Sequence, residues 1–350
     1  MISGSPHPID GTAEGFGPRR TVLDDLLVGS ATGAGAELRE AFTVTDIVFD
    51  DGAVAGIRGH AKGGAAVTER ARVVIGADGK HSILAKAVRP EHYNDVPQLQ
   101  TGYYAYWSGL PVSGFETCIR AEPGRGFAAI PTHDDLACLV GGWPYAQFAT
   151  NRTDYEGHYL RMFELAPAFA ERLRGAKRET RLAAVGDLHG FFRTPYGPGW
   201  ALVGDAGYHK DPITAFGISD AFRDAEQAAA ALDDAFSGRR PYAEAMAAWQ
   251  QTRDAESLPV YGLTCEFAKI EPPPAPMLQL LGAVAANRED GRLRQCHGRH
   301  PAGSGLLRTR QRGPDHRQRS NGAGLTARAA LQSALRTSEW RDSGCAERRS

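Results

Sequence analysis

Two short segments join an apolar run to a glycine and a carboxylate: Val73-Val74-Ile75-Gly76-Ala77-Asp78-Gly79 and Ala201-Leu202-Val203-Gly204-Asp205. Each reads as a buried strand that ends in a turn. The ends of such strands are where an open α/β sheet places its ligand contacts. Two such ends in one chain point to one extended nucleotide cofactor held at both. Either segment alone would say little, because Asp-Gly is also an ordinary turn.

Helices and strands must position these tips. Thr21 with Asp24 three residues on has the spacing of a capping box, and Leu23, Leu26, Leu27 and Ala31 then fall on one helical face. Asp50-Asp51-Gly52 between β-rich runs predicts a hairpin, followed by a third short run near Ala65–Thr68. Val73-Val74-Ile75 does not alternate with polar residues, which suits a strand covered on both faces. From about Gln98 to Thr194 the texture changes to short aromatic and apolar runs (Gly102–Trp107, Phe115–Arg120, Gly126–Pro131, Ala137–Trp143), as in an antiparallel sheet, with one helix near Asp154–Arg174. Beyond Asp205 the pattern is helical from Ser219, a candidate N-cap, to about Phe236, and again over Tyr242–Leu258.

Composition narrows the function classes. The chain has 350 residues, 42% hydrophobic and 23% charged, as in ordinary globular domains. Its net charge of −1 hides a division: residues 291–350 hold thirteen arginines against four acids, so the rest of the chain is acidic. An acidic body argues against nucleic acid as partner. The arginine-rich stretch lacks Val, Ile, Phe, Tyr and Met and is expected to be a disordered tail or the product of a shifted reading frame. Five scattered cysteines without a CxxC pair argue against a disulfide framework or a metal site. No secretory signal opens the chain and no apolar run is long enough to span a membrane, so a cytoplasmic location is expected.

With these segments in view, the chain resembles the p-hydroxybenzoate hydroxylase-like (group A) flavoprotein monooxygenases. Gly76-Ala77-Asp78-Gly79 is similar to their "DG" motif. Gly204-Asp205-Ala206, with Pro212 and Gly217, is similar to their "GD" motif, and Asp224-Ala225 resembles the acidic-Ala pair of the helix that follows. The resemblance covers about residues 18–290. It implies an α/β fold in which an FAD-binding, glutathione-reductase-like domain (residues 1–97 and 196–290) is interrupted by an antiparallel substrate-binding sheet domain (98–195). It implies FAD contacts at Arg20, Asp78, Gly79, Gly204, Asp205, Pro212, Gly217 and Ile218, with NAD(P)H as co-substrate. Asp205 would accept from ribityl or ribose hydroxyls. The helix after Gly217 would aim its free N–H groups at the edge of the flavin ring that becomes negative on reduction. The implied activity is hydroxylation of an aromatic or polyketide-like small molecule through a flavin C4a-hydroperoxide. A geranylgeranyl-reductase-type flavoprotein is the alternative.

The chain also departs from the family. No GxGxxG opens it on a βαβ unit, so it reads as lacking the family's first β-α-β region, with an inactive fragment that binds FAD poorly as a further alternative. Ala215 stands where the family often has Gly, Phe216 where Gln is common, and Ser219 where Asn is frequent. The Trp-x-Trp-x-Ile-Pro motif of flavin-dependent halogenases is absent. His81, His189 and His209 invite acid–base roles. Tyr103, Tyr104, Trp107, Trp143 and Tyr145 are candidates for an aromatic pocket, although core packing is the commoner role of each, and Arg120 and Arg193 are candidates for holding a substrate carboxylate, with solvated positions equally open to them.

Overall fold

In the computed structural model the described residues are 15–271 except 113 and 121–123, and beyond them Ala275 and Gln279. The chain divides into a unit of Gly17–Pro272 and a second unit made of its two ends. Everything below concerns the first. The arginine-rich stretch 291–350 lies outside the described residues, as do Cys296 and Cys345.

The Asp51-Gly52 turn forms as the dipeptide predicts. Both residues are left-handed, at φ 45° and 79°, the twist that a two-residue hairpin requires. It joins antiparallel strands Phe42–Asp50 and Ala53–Ala61, and Val67–Arg70 adds a third strand to the second. The chain then enters the strand Val74–Gly76, which pairs in parallel with Trp200–Leu202 in the register Val74↔Trp200, Ile75↔Ala201, Gly76↔Leu202. A parallel pair needs a long crossover. Here the crossover contains the whole antiparallel sheet.

That sheet has six strands. Gln100–Ser108 pairs with Ala137–Pro144, which pairs with Arg125–Pro131 and in turn with Glu116–Arg120. Lys177–Arg178 and Ala183–Val185 pair with the other edge of Gln100–Ser108. Burial alternates strictly along Ala137–Pro144, the period-2 mark of one packed face. Helices lie on that face. The single helix expected over 154–174 is instead a helical turn, Phe148–Asn151, followed by two short helices, Tyr155–Met162 and Pro167–Leu173. Pro167 supplies the reason, since a proline cannot extend a preceding helix but sits well at the first position of a new one. Tyr159, Met162, Phe163 and Phe169 pack on Phe127, Leu139 and Trp143 in one core cluster.

Two long helices complete the unit. Helix Gly217–Phe236 sets Ala228, Ala231 and Leu232 against Ala245, Met246 and Trp249 of helix Tyr242–Ala268, and Ala201 of the parallel pair closes the same cluster. The first of these begins at Gly217, with Phe216 at its N-cap, rather than at Ser219. The second runs ten residues past the expected Leu258 and through Pro259. Its face Arg253, Ser257, Tyr261, Thr264, Ala268 is buried throughout, and that packing offsets the one N–H the proline removes.

The first helix, Arg20–Gly33, differs most from expectation. Thr21 lies inside it and caps nothing; Arg19 is the N-cap, and Asp24 pairs with Arg20 instead. No residue of this helix is buried, and Leu26 is 65% exposed. The apolar stripe is present, but Leu26, Leu27 and Ala31 stay exposed and Leu23 is only half-buried.

Candidate functional site

The parallel pair brings the two signatures together. Gly76 and Leu202 are register partners, and the Val203 N–H donates to the Gly76 carbonyl at 3.0 Å. Asp78 and Asp205 therefore leave the same end of adjacent strands, and both are exposed. Asp78 accepts from the Ile83 N–H at 2.8 Å, which fastens the turn that enters helix Ile83–Val88. Asp205 makes no such bond. Its carboxylate faces Arg20, His209 and Lys210 closely enough to favour the charged form of each.

Glycine is favoured at the second tip. Gly204 is left-handed (φ 57°), and a Cβ there would stand 3.2 Å from the Ala221 Cβ. Its N–H donates to the Asp224 carboxylate at 2.8 Å. Asp224 is fully buried, also accepts from the Trp249 indole at 3.1 Å, and is pushed up to about 6 by burial. So this member of the motif fixes the turn from behind and does not face the open side. Gly79 (φ 77°) and Gly217 border open space, where a Cβ would meet nothing within 4 Å.

The helix Gly217–Phe236 starts beside these tips without a side-chain cap, and Ile218 in its first turn is 38% exposed. Its first N–H groups have no intrahelical partner. Asp220, one turn in, is engaged elsewhere. It accepts from the buried Lys210 and, at 2.8 Å, from Arg223. Burial lowers the Lys210 amine despite that partner. Pro212 opens the short turn Pro212–Thr214, capped by Asp211 through the Ile213 N–H at 3.0 Å. Ala215, where the family often has glycine, is left-handed at φ 56°.

Arg193 was a candidate to bind a substrate carboxylate, and the structure corrects this. Its guanidinium donates to the Ala206 carbonyl at 3.0 Å, to the Lys80 carbonyl at 3.1 Å and to His92 at 3.0 Å. It ties the two signature loops to each other. Nothing in the sequence distinguishes this arginine from a surface one, because its partners are backbone carbonyls over a hundred residues apart in the chain.

Asp187 is the residue that sequence reasoning missed. It is left-handed (φ 54°), pairs with the Lys80 ammonium, and has a His81 ring nitrogen at 3.1 Å and a His189 ring nitrogen at 2.9 Å. His189 foremost, and then Lys80, hold its carboxyl below the usual range. His209 lies behind, buried, its Nδ1 at 2.7 Å from the His189 carbonyl; burial lowers its proton affinity. The three candidate histidines thus gather at one edge of the signature loops. The aromatic candidates separate. Tyr103, Trp107 and Trp143 pack toward the helices. Tyr104 points to the other face of the sheet together with Tyr106, edge-to-face at 6.2 Å. Tyr145 stacks on Phe148. The Arg120 side chain lies outside the described residues. No group of His, Cys, Asp and Glu among the described residues is arranged to hold a metal, and no described helix is long and apolar enough to cross a membrane.

Residues 19–255 match the family described as FAD binding domain. The chain belongs to that family. It is 30% identical over 215 residues to a digeranylgeranylglycerophospholipid reductase of Methanocella arvoryzae, across 60% of this chain and 53% of that protein. The chain thus spans about half the length of this curated relative. Its fold is similar to that of the myxobacterial chondrochloren halogenase CndH (TM-score 0.69, 19% identity, 82% of this chain and 75% of that one). It is also similar to Pseudomonas aeruginosa PqsL, described as a probable FAD-dependent monooxygenase (TM-score 0.58, 21% identity, 70% and 67%). An FAD-binding α/β fold with an inserted antiparallel sheet is therefore established.

The residues present fit that cofactor at one end of it. Asp205 is an exposed carboxylate that makes no hydrogen bond or ion pair among the described residues, Gly79 and Gly217 leave room in front of the loops, and an uncapped helix N-terminus stands alongside. Such a terminus favours negative charge.

Proposed function

We propose that this chain serves an FAD-dependent oxidoreductase, an NAD(P)H-dependent monooxygenase acting on an aromatic or polyketide-like small molecule in the cytoplasm. The observation that carries the reading is the pairing of Val74–Gly76 with Trp200–Leu202, which sends Asp78 and Asp205 out of the same strand ends. Bound FAD would supply hydride acceptance and oxygen activation. The chain's own residues would do the rest. Asp205 would accept from sugar hydroxyls, and Arg20 would stay charged opposite it. The N–H groups at Gly217 and Ile218 would stabilise a negative ring edge, with Pro212 setting the turn that leads there. Gly79 and Asp78 would border the cofactor's other end. The sheet face bearing Tyr104 and Tyr106, within the substrate domain proposed over 98–195, would give an aromatic substrate its wall.

A second reading is favoured by the 30% identical relative, whose name is that of a reductase. The same loops would then serve reduction of a double bond. Oxygen consumption that requires both NAD(P)H and substrate distinguishes the first reading. Substrate reduction without oxygen uptake supports the second.

The cofactor itself is tested by titrating FAD into purified chain and following flavin fluorescence and melting temperature. The expected result is a saturable rise in melting temperature that Asp205→Ala abolishes while leaving the FAD-free melting temperature unchanged. No response to FAD at any concentration would remove the proposal.

A further inference from the structure

At the outer end of the six-stranded sheet, far along the chain from the signature loops, four nitrogen atoms are buried without a hydrogen-bond partner: Arg125 Nε, Trp143 Nε1, Asn151 Nδ2 and His158 Nδ1. Their placement is connected. The register Gly126↔Gly142 sets Arg125 opposite Trp143 on one face of adjacent strands. The His158 ring lies 6.3 Å from the Trp143 ring, on the helix packed over that face. Arg125 reaches Gln147 Oε1 at 3.4 Å, and Asn151 sits one helical turn beyond Gln147. Trp143 and Asn151 are 0% and 2% exposed.

Orphaned buried donors are costly, and here all four are of one kind. Three of them, on Arg, Trp and Asn, can only donate, and neutral histidine donates from Nδ1 in one of its two tautomers. Arg125 also carries a permanent positive charge with no carboxylate partner among the described residues. The nearby Asp154 is engaged by the Gly157 N–H and Arg161, both at 3.0 Å. A water molecule suits such a lining poorly. It accepts about two hydrogen bonds, fewer than the donors gathered here, and being neutral it leaves the Arg125 charge uncompensated. A monatomic anion accepts from every side and has no proton to place. It would also neutralise Arg125 in a setting where an unpaired charge is expensive.

We propose that Arg125, Trp143, Asn151 and His158 form a buried site for one small inorganic anion of the halide class, which fastens the 145–158 segment to the end of the sheet. The surroundings of His158 agree. Burial lowers its proton affinity first, then Arg161 and Arg125, and a neutral ring donates from Nδ1 in one of its two tautomers.

The test is the melting temperature of the full chain in sodium chloride or bromide, from about 1 to about 200 mM, against sodium gluconate at matched ionic strength. A saturable rise of about 2–4 °C in the halides alone is expected, the scale of one kcal/mol in a domain of this size. Arg125→Met should lose it. Asn151→Asp should lose it as well, while melting higher than the parent chain in gluconate, because it supplies the negative charge internally. Equal melting in halide and gluconate would overturn the proposal. So would a halide response that persists in Asn151→Asp, or an Asn151→Asp chain that melts lower in gluconate. If Arg125→Met does not fold, the parent chain and Asn151→Asp still decide the question.

Discussion

The Gly204 N–H donates to the Asp224 carboxylate at 2.8 Å, so a turn at the end of the parallel strand pair is held from within the core. Asp224 also accepts from the Trp249 indole, and through that bond the helix Tyr242–Ala268 grips the same turn. Asp224→Ala leaves two buried donors unsatisfied. The expected loss is about 2–4 kcal/mol, read as a lower midpoint in urea unfolding. Asp224→Asn should recover only part, since one amide oxygen cannot serve both donors as a carboxylate does.

The backbone at Gly204 makes its own prediction. Gly204→Ala places a Cβ 3.2 Å from Ala221 in a left-handed conformation. The cost is about 1–2 kcal/mol from the conformation alone. FAD affinity should fall as well, because the residue borders Asp205. Calorimetric melting with and without FAD separates the two effects.

Ala215 offers the reverse experiment. It is left-handed at φ 56°, a conformation that glycine adopts at little cost. Ala215→Gly is expected to raise stability, by up to about 1 kcal/mol after the greater chain entropy of glycine is counted. A lower melting temperature would show that the Ala215 methyl makes contacts worth more than the strain.

Arg193 joins the Lys80 and Ala206 carbonyls. Arg193→Met keeps the stem over Phe191, where the guanidinium now sits 4.2 Å from the ring centre, but frees both loops. Hydrogen bonds to charged groups contribute roughly 1.5–3 kcal/mol each, so a fall of several degrees in melting temperature is expected. Faster amide exchange confined to residues 78–82 and 204–209 would identify the loops as the origin. Uniformly faster exchange would count against the bridge.

Asp211 carries a pH dependence. Burial pushes its carboxyl up to about 6 from an ordinary 3.8, and its Oδ2 has no partner. The folded state thus holds the proton more tightly than the unfolded chain. The contribution of this group is most favourable below pH 4 and is lost as pH rises through about 6. Asp211→Asn keeps the cap on the Ile213 N–H and does not titrate. It should match the parent chain near pH 4 and exceed it above pH 6 by on the order of 2–3 kcal/mol. A constant difference across that range would assign the shift elsewhere.

Much of this architecture was legible before folding. The Asp51-Gly52 hairpin and the short antiparallel strands depend on local dihedral preference and on residues adjacent in the chain, and they appear where the pattern places them, while the helix expected from Ser219 starts two residues earlier at Gly217. The breaks came where packing overrode pattern. Pro167 split one expected helix, while buried contacts carried another through Pro259.

Read alone, the chain pointed to an FAD-binding fold, because two glycine-carboxylate strand ends need only neighbouring residues to be recognised. Folding settled which side chains face the open side. It turned Asp224 inward and left Asp205 outward, made Arg193 a strut, and collected His81 and His189 around Asp187. Hydrogen bonds and ion pairs between segments a hundred residues apart follow from strand register and crossover, and no local pattern encodes those distances.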